Sequence, residues 1–237
     1  MNSNKTCKTW YENSFAKDGL GAQRKYPNEE LARFIGRKYS SIPFENRRDI
    51  RILELGCGSG ANMWLLANEG FQTYGIDLAE GSVKIAGEYL RSKNLECELK
   101  QADMCEIPYP NSHFDCVVDI FSSNCLTEEN YHKCLSEVAR VLKTNGSYFC
   151  YTPSTESYDH KMATKDDKLD EWTLNGLKRE RSPYRKNDYP FRFASPAFVE
   201  KICDSLNLRI VYMEKVSRTY HSMKEYFEFL TFEAVKD

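Results

Sequence analysis

Between Ile52 and Asn62 the chain reads Ile-Leu-Glu-Leu-Gly-Cys-Gly-Ser-Gly-Ala-Asn, a GxGxG turn set directly between a buried apolar run and a segment of helical period. No other stretch limits the fold as much. Alternate glycines admit positive φ and leave no Cβ between the backbone amides and a ligand. Such a turn at a helix N-terminus is a cradle for an anion or a cofactor. No Gly-Lys-Ser/Thr follows, which excludes a Walker A loop. Gly56 to Ala61 satisfy the GxGxxG/A dinucleotide pattern, so on this loop alone an NAD-dependent oxidoreductase stays open beside other users of adenosine cofactors.

The surroundings of the loop indicate the architecture it serves. Strand-like apolar runs near Arg51–Leu55, Thr73–Asp77, Glu96–Gln101, Phe114–Ile120 and Tyr148–Thr152 alternate with helical segments at Ala61–Glu69, Ser82–Ser92 and Glu128–Leu142. That order builds a mostly parallel, doubly wound α/β sheet with helices on both faces. In the last helix Tyr131, Leu135, Val138 and Leu142 form one apolar stripe, and Asn145-Gly146 is expected to end it. Residues 1–48, with Trp10, Tyr11, Phe15 and a helix expected over Asn28–Tyr39, read as an N-terminal helical lid, and residues 49–237 as the core. Within the core, roughly 154–194 is polar, poor in aliphatic residues and rich in Lys, Asp, Tyr and Pro, the composition of a cap inserted after strand five. Ser195-Pro196 starts a helix that runs to about Leu206. Leu208–Lys215 and Tyr226–Val235 supply two further strands.

Two carboxylates narrow the ligand. Asp77 ends the second strand about 20 residues past the first glycine, where a carboxylate accepts the hydroxyls of an adenosine ribose. Glu54 precedes Gly56 by two residues, at the point where a dinucleotide lays its pyrophosphate. A carboxylate there opposes a doubly charged anion and favours a cation. The adenosine cofactor with a cation beside its ribose is S-adenosylmethionine, which carries a sulfonium and an ammonium.

With these residues in view, the chain resembles the class I S-adenosylmethionine-dependent methyltransferases over roughly Arg51 to Pro153. The family's first motif is a hydrophobic strand, an acidic residue, a hydrophobic residue and GxGxG, matched by Ile52 to Gly60. Its acidic residue ending strand two matches Asp77 in Tyr74-Gly75-Ile76-Asp77-Leu78, and its pair flanking the adenine matches Asp103-Met104. Ile107-Pro108-Tyr109 ahead of Phe114-Asp115-Cys116-Val117-Val118 is similar to the entry of strand four, and Leu142 to Ser147 to the turn before strand five. The resemblance implies a Rossmann-like fold and an enzyme that uses S-adenosyl-L-methionine and releases S-adenosyl-L-homocysteine. It implies that Gly56, Gly58 and Gly60 approach the methionine part, with Glu54 near its ammonium. Asp77 would hold the ribose, Leu78 would pack on adenine, and Asp103 and the Met104 amide would meet the adenine edge. Asp119 and Ile120 would lie beside the sulfonium, with Trp10 and Tyr11 closing as a lid over the cofactor and the acceptor.

Methyl transfer asks the protein mainly to align an acceptor and exclude water, and an acceptor that carries a proton also needs a base. Of four histidines, His113, His132 and His221 read as turn, solvated-helix and loop residues, which leaves His160 in the cap as the candidate catalytic base. Ile120-Phe121-Ser122-Ser123-Asn124-Cys125 has neither the histidine pair nor the Asn-Pro-Pro-Tyr signature that many family members carry after strand four. The missing prolines argue against methylation of the exocyclic adenine amine in nucleic acid. Ser122 and Asn124 are candidates to orient a polar acceptor. Lys178 to Arg192 holds six cations against two anions, and Arg181, Arg185 and Arg192 are expected to clamp phosphate or carboxylate. The expected acceptor is a small polar or anionic molecule, such as a sugar, a nucleotide sugar or another metabolite. A protein or RNA methyltransferase and a non-catalytic cofactor-binding module are the alternatives.

Composition sets the outer limits. The 237 residues carry 33 Lys plus Arg against 35 Asp plus Glu, a net charge of -2 without the basic excess of a nucleic-acid binder. At 41% hydrophobic residues the chain is not a disordered one. Nine cysteines without a CxxC pair offer no structural zinc site, and no metal is expected. Their placement in apolar runs fits reduced thiols. Met1 to Thr6 is not a secretory signal and no apolar run approaches ~20 residues, so the expectation is a soluble, cytoplasmic protein.

Overall fold

The computed structural model describes residues 3–22, 24–184 and 187–237. Two helices, α1 (Ser3–Asp18) and α2 (Glu29–Tyr39), precede an alternating series of β1 (Arg51–Leu55), α3 (Ala61–Asn68), β2 (Gln72–Asp77), α4 (Glu80–Ser92), β3 (Glu98–Gln101), β4 (Phe114–Ile120), α5 (Glu128–Val141) and β5 (Leu142–Pro153). The cap follows, with α6 (Tyr158–Lys161), β6 (Thr173–Leu174) and β7 (Phe191–Arg192), and the chain closes with α7 (Pro196–Asp204), β8 (Leu208–Tyr220) and β9 (Glu225–Lys236).

The seven-stranded sheet runs β3-β2-β1-β4-β5-β9-β8. All pairs from β3 to β5 are parallel, whereas β9 lies antiparallel to β5 and β8 antiparallel to β9. This is the doubly wound α/β sheet expected from the alternation of elements. The strand order reverses direction at β1, which opens a crevice at the carboxyl ends of β1 and β4. Because side chains alternate along a strand, β1 and β5 feed both faces. Leu53, Leu55, Tyr148 and Cys150 pack under α5 and α7, while Ile52, Phe149 and Tyr151 pack with α2.

Helix α2 is strongly specified. Asn28 caps it, its Oδ1 accepting from the amides of Glu30 and Leu31. Glu29 and Glu30 occupy the first turn and Arg37 and Lys38 the last, complementing the helix dipole. Phe34 stacks on Phe149 with centroids 4.2 Å apart, and Lys38 Nζ donates to the buried Glu233 on β9 at 2.7 Å. These ties hold Asn28 against the loop after β1, where its amide donates to Asn62 Oδ1 at 2.8 Å.

Asn145-Gly146 does not end α5 as expected. The chain leaves the helix at Leu142, which pairs with Phe114, and the ladder resumes only at Cys116 with Ser147. The residues between form a bulge inside β5, with Asn145 at φ 62°. A residue pair suited to tight reversal does not by itself distinguish a helix cap from a bulge. The β8–β9 hairpin also extends past the expected ends, because the outer part of β8 is an exposed edge whose polar residues read as loop. Among the described residues, no helix is long and apolar enough to cross a membrane.

Candidate active site

The loop after β1 is shaped by its glycines. Gly56, Gly58 and Gly60 all take positive φ. A Cβ on Gly56 would lie 2.6 Å from Ser122 Oγ, so the loop passes directly against the end of β4. Gly60 caps α3, and its Cβ would press on Ala86 of α4 at 3.2 Å. Gly58 donates its N–H to Asp77 Oδ2 at 2.9 Å, and its carbonyl accepts from Ser82 Oγ at 2.7 Å. Gly56 lines the cavity above the loop; Gly58 and Gly60 do not, and face α4 and β2 instead.

That cavity, about 360 Å³, sits over the crevice between β1 and β4. Its walls include Glu54, Gly56, Asp77, Leu78, Asp103, Met104 and Ile120, together with Ser122 and, from α1, Trp10 and Tyr11. Glu54 is 2% exposed, and Asn62 Nδ2 donates to its Oε1 at 2.6 Å. Its Oε2 is buried without a hydrogen-bond partner among the described residues. Burial pushes the Glu54 carboxyl up to about 8; the Asn62 bond and the Arg24 charge oppose this, and the neighbouring Asp77 and Asp119 carboxylates add to it. A buried, unpaired acid at the wall of a cavity is a receptor for a cation. Asp77 is set more firmly, since each of its oxygens accepts one amide, from Ala79 and from Gly58, both at 2.9 Å. Burial raises its pKa against those two bonds. The donor set fits S-adenosylmethionine, whose ammonium needs a carboxylate and whose ribose needs an acceptor.

The roof is aromatic. Trp10 and Tyr11 on α1 meet Tyr189 of the cap, with centroids 5.4 and 5.7 Å from it, and the Tyr11 and Tyr189 hydroxyls lie 3.4 Å apart. Phe121, just past β4, stacks on Tyr184 at 5.0 Å and meets Phe191 at 5.8 Å. Sequence reasoning missed Phe121, Tyr184, Tyr189 and Phe191 as lining residues. The alternation of aromatics with cations in the cap was the available signal, and it drew attention to the cations. Arg24 was also missed; it lines the cavity although it is largely exposed, and its carbonyl accepts from Ser59 Oγ at 3.1 Å.

Several expected site residues lie elsewhere. Asp119 is fully buried and does not line the cavity; its Oδ1 accepts from the amides of Ser122 and Ser123 and its Oδ2 from the Tyr148 hydroxyl, all at 3.0–3.1 Å. It therefore holds the loop after β4 in place. Asn124 is buried beside that loop, outside the cavity walls. Arg192 is also fully buried, its guanidinium 3.4 Å over the Tyr131 ring and donating to Ser123 Oγ at 3.3 Å. Arg181 is exposed on the cap outside the cavity, and Arg185 lies outside the described residues. The described cations of the cap thus do not converge on the cavity: Arg179 pairs with the buried Asp159 and Glu225. His160 is in α6, with Nε2 3.3 Å from the Glu171 carbonyl and 3.4 Å from Lys168 Nζ, and does not reach the cavity.

Residues 52–146 match the family described as methyltransferase domain. The mRNA cap guanine-N(7) methyltransferase of Saccharomyces cerevisiae is 30% identical over 175 residues, 65% of this chain and 40% of that protein. The fatty-acid O-methyltransferase of Mycolicibacterium smegmatis is 33% identical over 136 residues, 56% of this chain and 47% of that protein. The chain therefore spans about half the length of these relatives or less. Among solved structures, magnesium protoporphyrin IX methyltransferase from Synechocystis PCC 6803 with bound SAH superimposes at a TM-score of 0.68, with 14% identity and both chains covered in full. Residues 52–146 thus match a methyltransferase domain, and the chain shares the fold of that solved methyltransferase.

Proposed function

We propose that the whole protein transfers the methyl group of S-adenosylmethionine to a small or medium-sized molecule held beneath α1 and the cap. One observation carries the reading: Glu54 offers a buried, partnerless carboxylate oxygen to the cavity that Asp77 also lines. In this reading Glu54 Oε2 takes the cofactor's ammonium and Asp77 takes its ribose hydroxyls. Leu78, Asp103 and Met104 flank the adenine, and Trp10 lies over the bound molecule. The cofactor, when bound, supplies an electrophilic methyl carbon. The chain's own residues orient the acceptor and keep water out, with Tyr11, Tyr184 and Tyr189 forming the roof. Asp119 acts as a positioning residue through the amides of Ser122 and Ser123. The aromatic roof favours an acceptor with an apolar or planar face over one gripped by several arginines.

Relatives named as mRNA cap guanine-N(7) methyltransferases favour a second reading, with a nucleic-acid acceptor. Thermal unfolding with S-adenosylhomocysteine and with NAD tests the cofactor: the former is expected to raise Tm and the latter to leave it unchanged, and the reverse pattern overturns the proposal. Incubating the protein and labelled S-adenosylmethionine with small-molecule and RNA fractions of a lysate tests the acceptor. Label in the RNA fraction alone sinks the small-molecule reading.

A further inference from the structure

Resting on the methyltransferase reading above, we infer that the methyl acceptor is an unprotonated nitrogen, in a tertiary amine or an aromatic ring, and that an aromatic cage holds the positive charge of the methylated product. The cage draws on three parts of the chain: Trp10 and Tyr11 from α1, Phe121 from the end of β4, and Tyr184, Tyr189 and Phe191 from the cap. Ring faces attract cations, and most strongly where water is excluded. With Glu54 paired to the cofactor's ammonium, the carboxyls of Asp77 and Asp103 stand against the guanidinium of Arg24 in the same cavity.

Phe121 shows that the cage is enforced. It takes φ 62°, a left-handed conformation that a bulky residue adopts only when its surroundings impose it. Its N–H donates to the Tyr151 carbonyl at 2.9 Å, and the next two amides are fastened to Asp119. The strained backbone keeps the ring at the cavity wall, against Tyr184.

The second argument is the lack of a base. Among the described residues lining the cavity there is no histidine and no lysine. Burial holds the hydroxyls of Tyr11, Tyr184 and Tyr189 far above the ordinary tyrosine range, so each remains a proton donor. Asp77 ends β2 and Asp103 follows β3, across β1 from Phe121, and Glu54 is taken by the cofactor's ammonium in the reading adopted here. An alcohol must lose a proton on methylation, and among the described residues this end of the cavity offers no histidine, lysine or carboxylate to take it. A nitrogen lone pair has no such requirement. It forms the new N–C bond, the electron pair of the broken S–C bond stays on sulfur, and the positive charge passes from sulfur to nitrogen without release of a proton.

Choline and its neutral isostere 3,3-dimethylbutan-1-ol test the cage on the full chain saturated with S-adenosylhomocysteine. Calorimetry or saturation-transfer NMR is expected to show choline bound roughly tenfold more tightly. Tyr184→Leu and Tyr189→Leu should erase the preference while S-adenosylhomocysteine still binds, which shows that the variants are folded; Tyr189→Phe keeps the ring and should retain the preference. Equal binding of the two probes, or labelled methyl groups from a lysate recovered on oxygen or carbon, overturns the inference. Failure of S-adenosylhomocysteine itself to bind overturns the underlying methyltransferase reading, a result distinct from cofactor binding without cation preference.

Discussion

Glu54 on β1 and Asp77 at the end of the neighbouring β2 line the same cavity, and their surroundings give them different tasks. Asp77 accepts one amide on each oxygen and keeps acceptor capacity to spare, so removing it strips the loop of its tie to β2 as well as the cavity of an acceptor. Asp77→Ala is expected to cost about 1–3 kcal/mol of stability in a urea titration and to abolish the Tm shift given by S-adenosylhomocysteine. Glu54 has one oxygen unspent and a pKa pushed up to about 8. Between the ordinary carboxylate value of 4.5 and about 8, the folded protein holds a proton that the unfolded chain releases. Stability of the ligand-free protein should therefore fall as pH rises through that window, and Glu54→Gln should flatten the slope in thermal melts. A cation bound at Oε2 favours the ionised form, so affinity for S-adenosylhomocysteine should rise with pH up to about 8, with proton release visible as buffer-dependent heats in calorimetry. At pH 8 the Glu54→Gln variant should bind about 10–100-fold more weakly.

At the scale of elements, the site depends on how closely β1 and β4 end together. Gly56 leaves room for Ser122, whose Oγ in turn donates to the Gly56 carbonyl at 3.2 Å. Gly56→Ala places a Cβ into that side chain at a positive φ, and is expected to lower stability by about 1–3 kcal/mol and weaken the cofactor. Pairing it with Ser122→Gly removes the clash but not the φ strain, so partial recovery of Tm is expected; full loss in the double variant would show that the clash is not the cause. Helix α2 reaches the site indirectly, from the Asn28 amide to Asn62 and from Asn62 to Glu54. Asn62→Ala should remove the hydrogen bond to Glu54 Oε1, raise the Glu54 pKa further and move the pH at which cofactor affinity levels off to a higher value in the same calorimetric series.

At the scale of the molecule, α1 and the cap meet over the cavity through Trp10, Tyr11 and Tyr189, although Tyr11 and Tyr189 are 178 residues apart in the sequence. S-adenosylhomocysteine should therefore slow amide hydrogen exchange in α1 and around Tyr189 together; protection of one without the other would show that they do not close as a unit. The sequence alone determined the sheet and the cavity wall at the glycine loop, because those signals are local: glycine spacing, an acid two residues before Gly56, another at the end of the second strand, and the alternation of strand and helix periods. The reversal signal at Asn145-Gly146 is the same for a helix cap and a bulge, and only the pairing of Phe114 with Leu142 separates them. The other end of the cavity was not legible. Cationic residues of the cap looked like a clamp, yet Arg192 is buried over Tyr131 and Arg179 is paired, while the aromatics between them turn inward. Which face of an irregular segment turns in depends on contacts with α1, β4 and β9, residues far away in the chain. Burial of ring area drives that choice, and it is a property of the assembled tertiary structure, not of any local pattern.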